Sequence, residues 1–329
     1  MKTILSTSHN PYYHLSLMEY LLKHHDDEFI LVFENKNTII VGRNQNTYEV
    51  VNETFVNKHK THVIRRISGG GAVYQDVGNI NFVYIVKAKN NFNNFLKFIE
   101  PVMSYLEELG LHAEFKGRND LEINGKKISG NAQTTYKNRM MHGGTLLYDL
   151  DLDRASDALR VDEGKYRSKG IQSNRARIQN VKPLLKSAPA IKDFKQGLLE
   201  TILDTDELDK NVYTLSQKEE QMIDKLMKQK YETWEWNYGK SPEYNVVKGK
   251  RFSRMRLDFY LQVRKNTIHQ VKIFSDGLFC QEALQTLETC LKGVKYTETD
   301  VRAALLRYEE NVIADDVGIE AIVHCLFDV

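Results

Sequence analysis

Three consecutive glycines, Gly69, Gly70 and Gly71, constrain this chain more than any other feature. Val63, Ile64 and Ile67 precede them and an apolar run at 81–86 follows, so the pattern predicts strand, sharp turn, strand. Without a Cβ the backbone turns tightly and other groups approach it closely. Two readings fit: a structural hairpin turn, and a concave set of backbone N–H groups that holds an anion. Arg65 and Arg66, just upstream, are placed where a guanidinium reaches a phosphate.

The rest of the chain is a mixture of elements without regular βαβ alternation. Asn10-Pro11 reads as N-cap and first helical residue before the stripe Leu15, Met18, Leu21, Leu22. Residues 29–33 and 38–42 read as strands. Phe95, Phe98, Ile99, Val102 and Leu106 mark a helix that Gly110 ends. Short strands are expected over 112–149, and helices near 152–160, 193–203 and 216–229. Residues 231–250, with Trp234, Trp236, Gly239, Pro242 and Gly249, lack a sustained period and read as a linker. Beyond it Leu257, Phe259, Leu261 and Val263 alternate as a half-buried strand, and the return strand 268–274 breaks alternation as a bulge would. Three helices follow, the second opening on a Thr297-x-x-Asp300 cap.

Asn124-Gly125 between apolar residues is a two-residue hairpin signal. Closed in that register, Ile123 faces Lys126, Glu122 faces Lys127, Leu121 faces Ile128 and Asp120 faces Ser129. Alternation then puts Asp120, Glu122, Lys127 and Ser129 on one face. From spacing alone the ordinary reading of Lys126 and Lys127 is a pair of solvated charges.

Several blocks stand in a fixed order: RRISGGGAV at 65–73, GNINF at 78–82, GRNDL at 117–121, KKISG at 126–130, HGGTLL at 142–147 and SKGIQSNRARIQN at 168–180. In these the chain resembles the lipoate–protein ligase family in its two-domain form. The resemblance implies an α+β fold: a mixed-sheet catalytic domain of the biotin/lipoate ligase type over residues 1–243, and a smaller α/β accessory domain over 244–329. It implies an enzyme that activates lipoate with MgATP to lipoyl-adenylate and passes the lipoyl group to a lysine of an apo lipoyl-domain protein. The acceptor would be a glycine-cleavage carrier protein or an acyltransferase subunit of a 2-oxoacid dehydrogenase. Lys127 aligns with the family's essential lysine and would bridge the two reacting anions. ATP and adenylate contacts fall on Arg66, Gly70, Gly71, Ala72, Val73, Tyr74, Asn79, Asp120, Lys127 and Lys169. Lipoate contacts fall on Ser68, Gly69, Lys127, His142 and Gly144. Asp120 is the implied Mg²⁺ ligand. Residues 163–180, with Lys165, Lys169, Arg175 and Arg177, would form a mobile cover over the adenylate. The chain departs from the family at Gly143 and Gln75, where histidines are frequent.

Rival readings are a lipoyl or octanoyl carrier-to-carrier acyltransferase, a biotin ligase, and a non-catalytic lipoyl-domain binder. The acyltransferase uses a cysteine thioester, and this chain has no cysteine before Cys280. Cys280, Cys290 and Cys325 are its only cysteines, an odd count that fits a reducing cytoplasm. A net charge of +2 gives no whole-molecule case for nucleic acid, and no apolar run is long enough to span a bilayer. Neither a nucleic-acid nor a membrane partner is expected.

Overall fold

The computed structural model describes residues 1–117, 119–159, 177–238, 246–252, 255–276, 281–307 and 317–327. The chain divides into two compact units. One is Met1–Val41, Val50–Ile67 and Ala72–Asn237; the other is Gly42–Glu49, Ser68–Gly71 and Tyr238–Val329.

The first unit is organised by a seven-stranded sheet. Its strands are β1 (Lys2–Thr3), β2 (Phe29–Glu34), β6 (Asn79–Lys87), β7 (Glu114–Lys116), β8 (Asp120–Ile123), β9 (Lys126–Tyr136) and β10 (Arg139–Leu147), in the order β1-β2-β6-β10-β9-β8-β7. Only the β1–β2 pair is parallel. β6 is central and buried along all but its last residue, because helices cover both faces, and its sequence NINFVYIVK is apolar accordingly. The helix Pro11–His24 packs Leu15, Met18 and Leu22 with Phe29, Leu31, Phe33, Val83, Ile85 and Met141 on one face. Asn10 caps it, accepting from Tyr12 and Tyr13 N–H. The helix Phe95–Glu108 covers the other face, where Phe98 stacks on His142 and Tyr105 meets Phe194 edge-on. β9 and β10, at eleven and nine residues, are longer than the short strands expected there.

A second, small sheet in this unit joins β3 (Thr38–Val41), β4 (His62–Arg65) and β5 (Val73–Gln75) in the order β4-β3-β5. The expected linker begins too early. Trp234–Asn237 is a short helix that closes on β4, and Tyr231, at its approach, is fully buried. Tyr231 and Trp236 are spent on packing while Trp234 stays exposed, which a sequence without period does not reveal.

In the second unit β11 (Val246–Arg251), β12 (Arg256–Arg264) and β13 (Thr267–Ser275) form an antiparallel sheet. The alternating Leu257, Phe259 and Leu261 are fully buried against the helices Gln281–Leu291, Glu298–Leu306 and Ile319–Phe327. The expected bulge is present: register shifts between Gln262 and Val263, opposite Gln270 and Ile268. Thr297 caps its helix by accepting from Asp300 N–H.

Candidate active site

The Asn124-Gly125 hairpin forms with both residues at positive φ, and Ile123 pairs with Lys126 and Glu122 with Lys127. The register then slips. Leu121 faces Ser129, not Ile128, and Asp120 faces Gly130, not Ser129. The extra residue on β9 is accommodated as a bulge that buries both Ile128 and Ser129. Ser129 therefore leaves the polar face on which simple alternation places it. Lys127 and Gly130, three residues apart, come onto the same face instead. A Cβ on Gly130 would stand 2.9 Å from Lys127 Nζ. That Nζ pairs with Asp120 Oδ1 at 2.7 Å, both side chains being about one third exposed. Lys127 O accepts from Gln179 N–H, and Gln179 Nε2 donates to Ile123 O.

Directly opposed residues in a sheet share a face. The pairings Lys116–Asp120, Asp120–Gly130, Gly130–Thr145, Thr145–Asn81 and Asn81–Phe33 thus define one row across five strand pairs. Thr145 Oγ1 donates to Gly130 O at 3.3 Å. Alongside runs an apolar row, Ala132, Gly143, Val83 and Leu31. A Cβ on Gly143 would meet only Val83 Cγ2, at 3.9 Å, so the absence of a side chain there leaves room on the Lys127 face. Asn79 lies two residues from Asn81 on this face; it is 1% exposed, and its Nδ2 has no hydrogen-bond partner among the described residues. A buried orphan donor is costly, and a bound polar ligand would relieve it.

His142 and Gly144 point the other way. His142 is fully buried between Phe98 and Phe82; Gln133 Nε2 donates to its Nδ1, and its Nε2 donates to Asn131 Oδ1. Burial pushes its pKa down to about 3, so the ring is neutral. A Cβ on Gly144 would lie 2.0 Å from the Phe82 ring and 2.4 Å from Asn131 Oδ1. The structure thus does not bring these two expected lipoate contacts to the Lys127 face; Gly143 and Thr145 occupy the corresponding places.

Other motif residues prove to be scaffolding. Asn119 and Asn131 bond reciprocally, which holds Asp120 opposite Gly130. A Cβ on Gly78 would stand 2.0 Å from Asp149 O. Asn180 accepts from Leu150 N–H and donates to Leu150 O. Arg65, read as a phosphate contact, is 8% exposed and tied to Trp236 and Asn237, because β4 needs its outer edge closed. Arg66 is half-buried and donates to Ile40 O at 3.2 Å. Burial, and then the charge of Arg65, push its pKa down to about 10, so a nearby anion would stabilise it. Tyr74 is buried and its hydroxyl donates to Asn37 Oδ1; burial raises its pKa to about 12. Ala72 and Val73 are half-buried, Val73 in β5.

The glycine turn belongs to the second unit. Ser68 is buried and its carbonyl accepts from Arg43 N–H. Gly70 has φ +96°, and its carbonyl would lie 1.8 Å from a Cβ on Gly42. Gly71 is exposed, with nothing within 4 Å of a notional Cβ. Gly42 opens a short GRNQN tract that the sequence reading passed over, although a glycine closing a strand was its available signal. Lys165, Lys169 and Arg175, and most of the expected cover, lie outside the described residues.

A polar chain that the sequence reading also missed runs under β6. Ser6 Oγ is 3.1 Å from His14 Nε2, and His14 Nδ1 is 2.8 Å from Asn35 Oδ1. Asn35 Nδ2 donates to Gln75 Oε1, Gln75 Nε2 to Asn81 Oδ1, and Asn81 Nδ2 to Phe33 O. An amide oxygen only accepts, so His14 carries its proton on Nδ1, and burial lowers its pKa to about 4. Gln75, where the family resemblance implies a histidine, is the link between Asn35 and Asn81.

Fold and site together define an α+β enzyme with a lysine–carboxylate pair beside an apolar strip. Residues 10–203 match the Lipoyl protein ligase A/B catalytic domain and residues 241–326 the Bacterial lipoate protein ligase C-terminus. Lipoate–protein ligase 1 of Staphylococcus aureus is 40% identical over 91% of this chain and 92% of its own length. Among solved structures, P. falciparum LipL1 in complex with lipoate shares the fold over 100% of this chain and 99% of its own, with a TM-score of 0.80 at 23% identity. A bipartite ligase from Thermoplasma acidophilum, studied with its E2 lipoyl domain, covers 74% of this chain and 98% of its own at 29% identity and TM-score 0.64. A lipoate-protein ligase A bound with ATP covers 72% and 98% at 25% identity and TM-score 0.61. The chain belongs to the lipoate–protein ligase family.

Proposed function

We propose that the Lys127 face is where lipoate and ATP are joined in an ATP-dependent lipoate–protein ligase. The observation that carries this reading is the Lys127 ammonium above Gly130, paired with Asp120 and flanked by the Ala132–Gly143–Val83 strip. A carboxylate and an α-phosphate repel one another, and an ammonium between them offsets that repulsion and stabilises the charge that builds in the transition state. The carboxylate oxygen attacks the α-phosphorus and pyrophosphate leaves. The acceptor's ε-amine then attacks the acyl carbon of the mixed anhydride, AMP leaves, and an amide forms. Adenylate formation needs Lys127, and neither step needs a covalent enzyme intermediate.

The aliphatic tail fits the apolar strip, where the missing side chain at Gly143 leaves room. Asn79 Nδ2 is assigned to a polar atom of the substrates. Arg66, Gly70, Gly71, Ala72, Val73 and Tyr74 are assigned to the nucleotide, Lys169 to the adenylate, and Ser68 and Gly69 to the lipoyl carboxylate end. Mg²⁺ requires only one or two carboxylates beside substrate phosphates. Asp120 fits that need, with Glu122 on the same face, and no group of three potential ligands exists among the described residues. When bound, the ion neutralises phosphate charge.

Residues 1–243 serve as the adenylating and transferring part and 244–329 as an accessory part. The acceptor is an apo lipoyl domain, of a glycine-cleavage carrier or a 2-oxoacid dehydrogenase acyltransferase subunit, and the reaction takes place in the cytoplasm. Among the described residues no helix is long and apolar enough to cross a membrane. Incubation with lipoate, MgATP and each apo-acceptor tests the reading: pyrophosphate release and a lipoyl mass gain on the acceptor support it, and neither product overturns it.

A further inference from the structure

β4 has β3 on one edge, and at Arg65 its other edge is closed by the short helix Trp234–Asn237. Arg65 N–H donates to Asn237 Oδ1 at 2.9 Å, and Arg65 O accepts from Trp236 Nε1 at 2.7 Å. These two bonds replace the neighbouring strand that this edge lacks. The Arg65 guanidinium turns back onto the same helix, Nε donating to Trp236 O at 3.1 Å and Nη2 to Asn237 O at 3.3 Å. Asn237 is itself fixed, its Nδ2 donating to Tyr231 O and Thr233 O. Lys230 sits 3.9 Å from the Trp236 ring centroid and pairs with the buried Glu19, as the Tyr231 hydroxyl does. The clamp is thereby anchored in the helix Pro11–His24.

One residue further on, Arg66 N–H donates to Val41 O at 2.9 Å, towards the opposite edge. We infer that Trp236 and Asn237 are positioning residues for nucleotide binding: by holding both the backbone and the guanidinium of Arg65 they fix the end of β4 and with it the direction in which Arg66 is presented. The inference rests on the assignment of Arg66 to the nucleotide. Two consecutive residues each turn one side-chain atom and one carbonyl onto a single residue, and that residue is the neighbour of the cation in question.

The test compares Trp236→Phe, which removes one N–H donor and keeps an aromatic ring, with Asn237→Ala, Arg66→Ala and the double variant Trp236→Phe/Arg66→Ala. Leu198→Ala, in the distant helix Ile191–Leu203, controls for lost stability. Pyrophosphate release in the adenylation half-reaction gives KM for ATP and for lipoate separately. Trp236→Phe should raise KM for ATP roughly two- to tenfold, the span expected for one hydrogen bond, and leave KM for lipoate within about twofold. The double variant should bind ATP no worse than Arg66→Ala, because the clamp acts through Arg66. Equal changes in both KM values, an unchanged KM for ATP, or additive losses in the double variant would overturn the inference. If Asn237→Ala fails to fold, Trp236→Phe still decides. An inactive wild-type protein would instead count against the ligase reading itself.

Discussion

Lys127 Nζ lies 2.7 Å from Asp120 Oδ1, although Lys127 pairs across the hairpin with Glu122 and Asp120 pairs with Gly130. The bulge between those two pairings is what lets the ammonium swing over a glycine to the carboxylate. The same geometry makes the ammonium available: its partner is one third exposed, and an incoming phosphate or carboxylate competes for it at modest cost.

Replacing Lys127 with Met keeps most of the side-chain volume and removes the charge. Adenylate formation should fall by about 10²–10³-fold, the cost typical of losing one oriented transition-state donor. Lys126→Ala, at an exposed position, should stay within a few-fold of wild type. Circular dichroism and thermal melts should show both variants folded; near-normal adenylation by Lys127→Met would exclude the assigned role.

Gly130→Ala and Gly144→Ala should fail in different ways. At Gly130 the new methyl meets the tip of a flexible lysine, so stability is nearly kept while adenylation drops. At Gly144 it meets the Phe82 ring and Asn131 from 2.0 to 2.4 Å, so overpacking costs about 1–3 kcal/mol or more. Melting temperatures and adenylation rates, measured together, separate the two; the reverse pattern would contradict the assignment of faces.

Within the glycine turn, Gly71→Ala should fold normally, since nothing stands within 4 Å of the added carbon. If a phosphate approaches that backbone, the methyl should still weaken ATP binding. Gly70→Ala, at φ +96°, should also lose stability. Calorimetry with ATP in the presence of lipoate checks this: unchanged affinity in a folded Gly71→Ala variant rules out a phosphate loop there.

His14 and His142 are neutral in the folded chain, with pKa values lowered to about 4 and about 3 by burial. An unfolded histidine titrates near 6.5. Below that value the unfolded state takes up protons that the folded rings refuse, so stability falls with pH. For each histidine the slope steepens from about 0.7 kcal/mol per pH unit at pH 6.5 towards about 1.4 near pH 5. His142→Gln should make the fall in melting temperature across this window shallower. A slope equal to wild type would mean that the ring is already charged when folded.

Much of this protein is fixed locally. The Asn10-Pro11 helix start, the Asn124-Gly125 turn, the alternating strand at Leu257 and the bulge after it depend on residues near one another in sequence, and patterning alone identifies them. The ordered motifs likewise point to Lys127 and Asp120 before any coordinates. Tertiary structure decided what depends on which neighbour a backbone meets. The bulge at Ile128 leaves Ile128 and Ser129 both buried, and it turned Gly130, not Ser129, towards the lysine. Pairing with β6, and the helix Phe95–Glu108 behind it, sent His142 and Gly144 away from the site and left Gly143 and Thr145 facing it. Arg65 and Arg66 look equivalent in sequence, and only the packing of Trp236 and Asn237 against an edge strand separated a structural arginine from the neighbour proposed for the nucleotide. A strand's period offers a face to each side chain; what that face meets is set by segments distant in sequence, up to 172 residues away for Arg65 and Asn237.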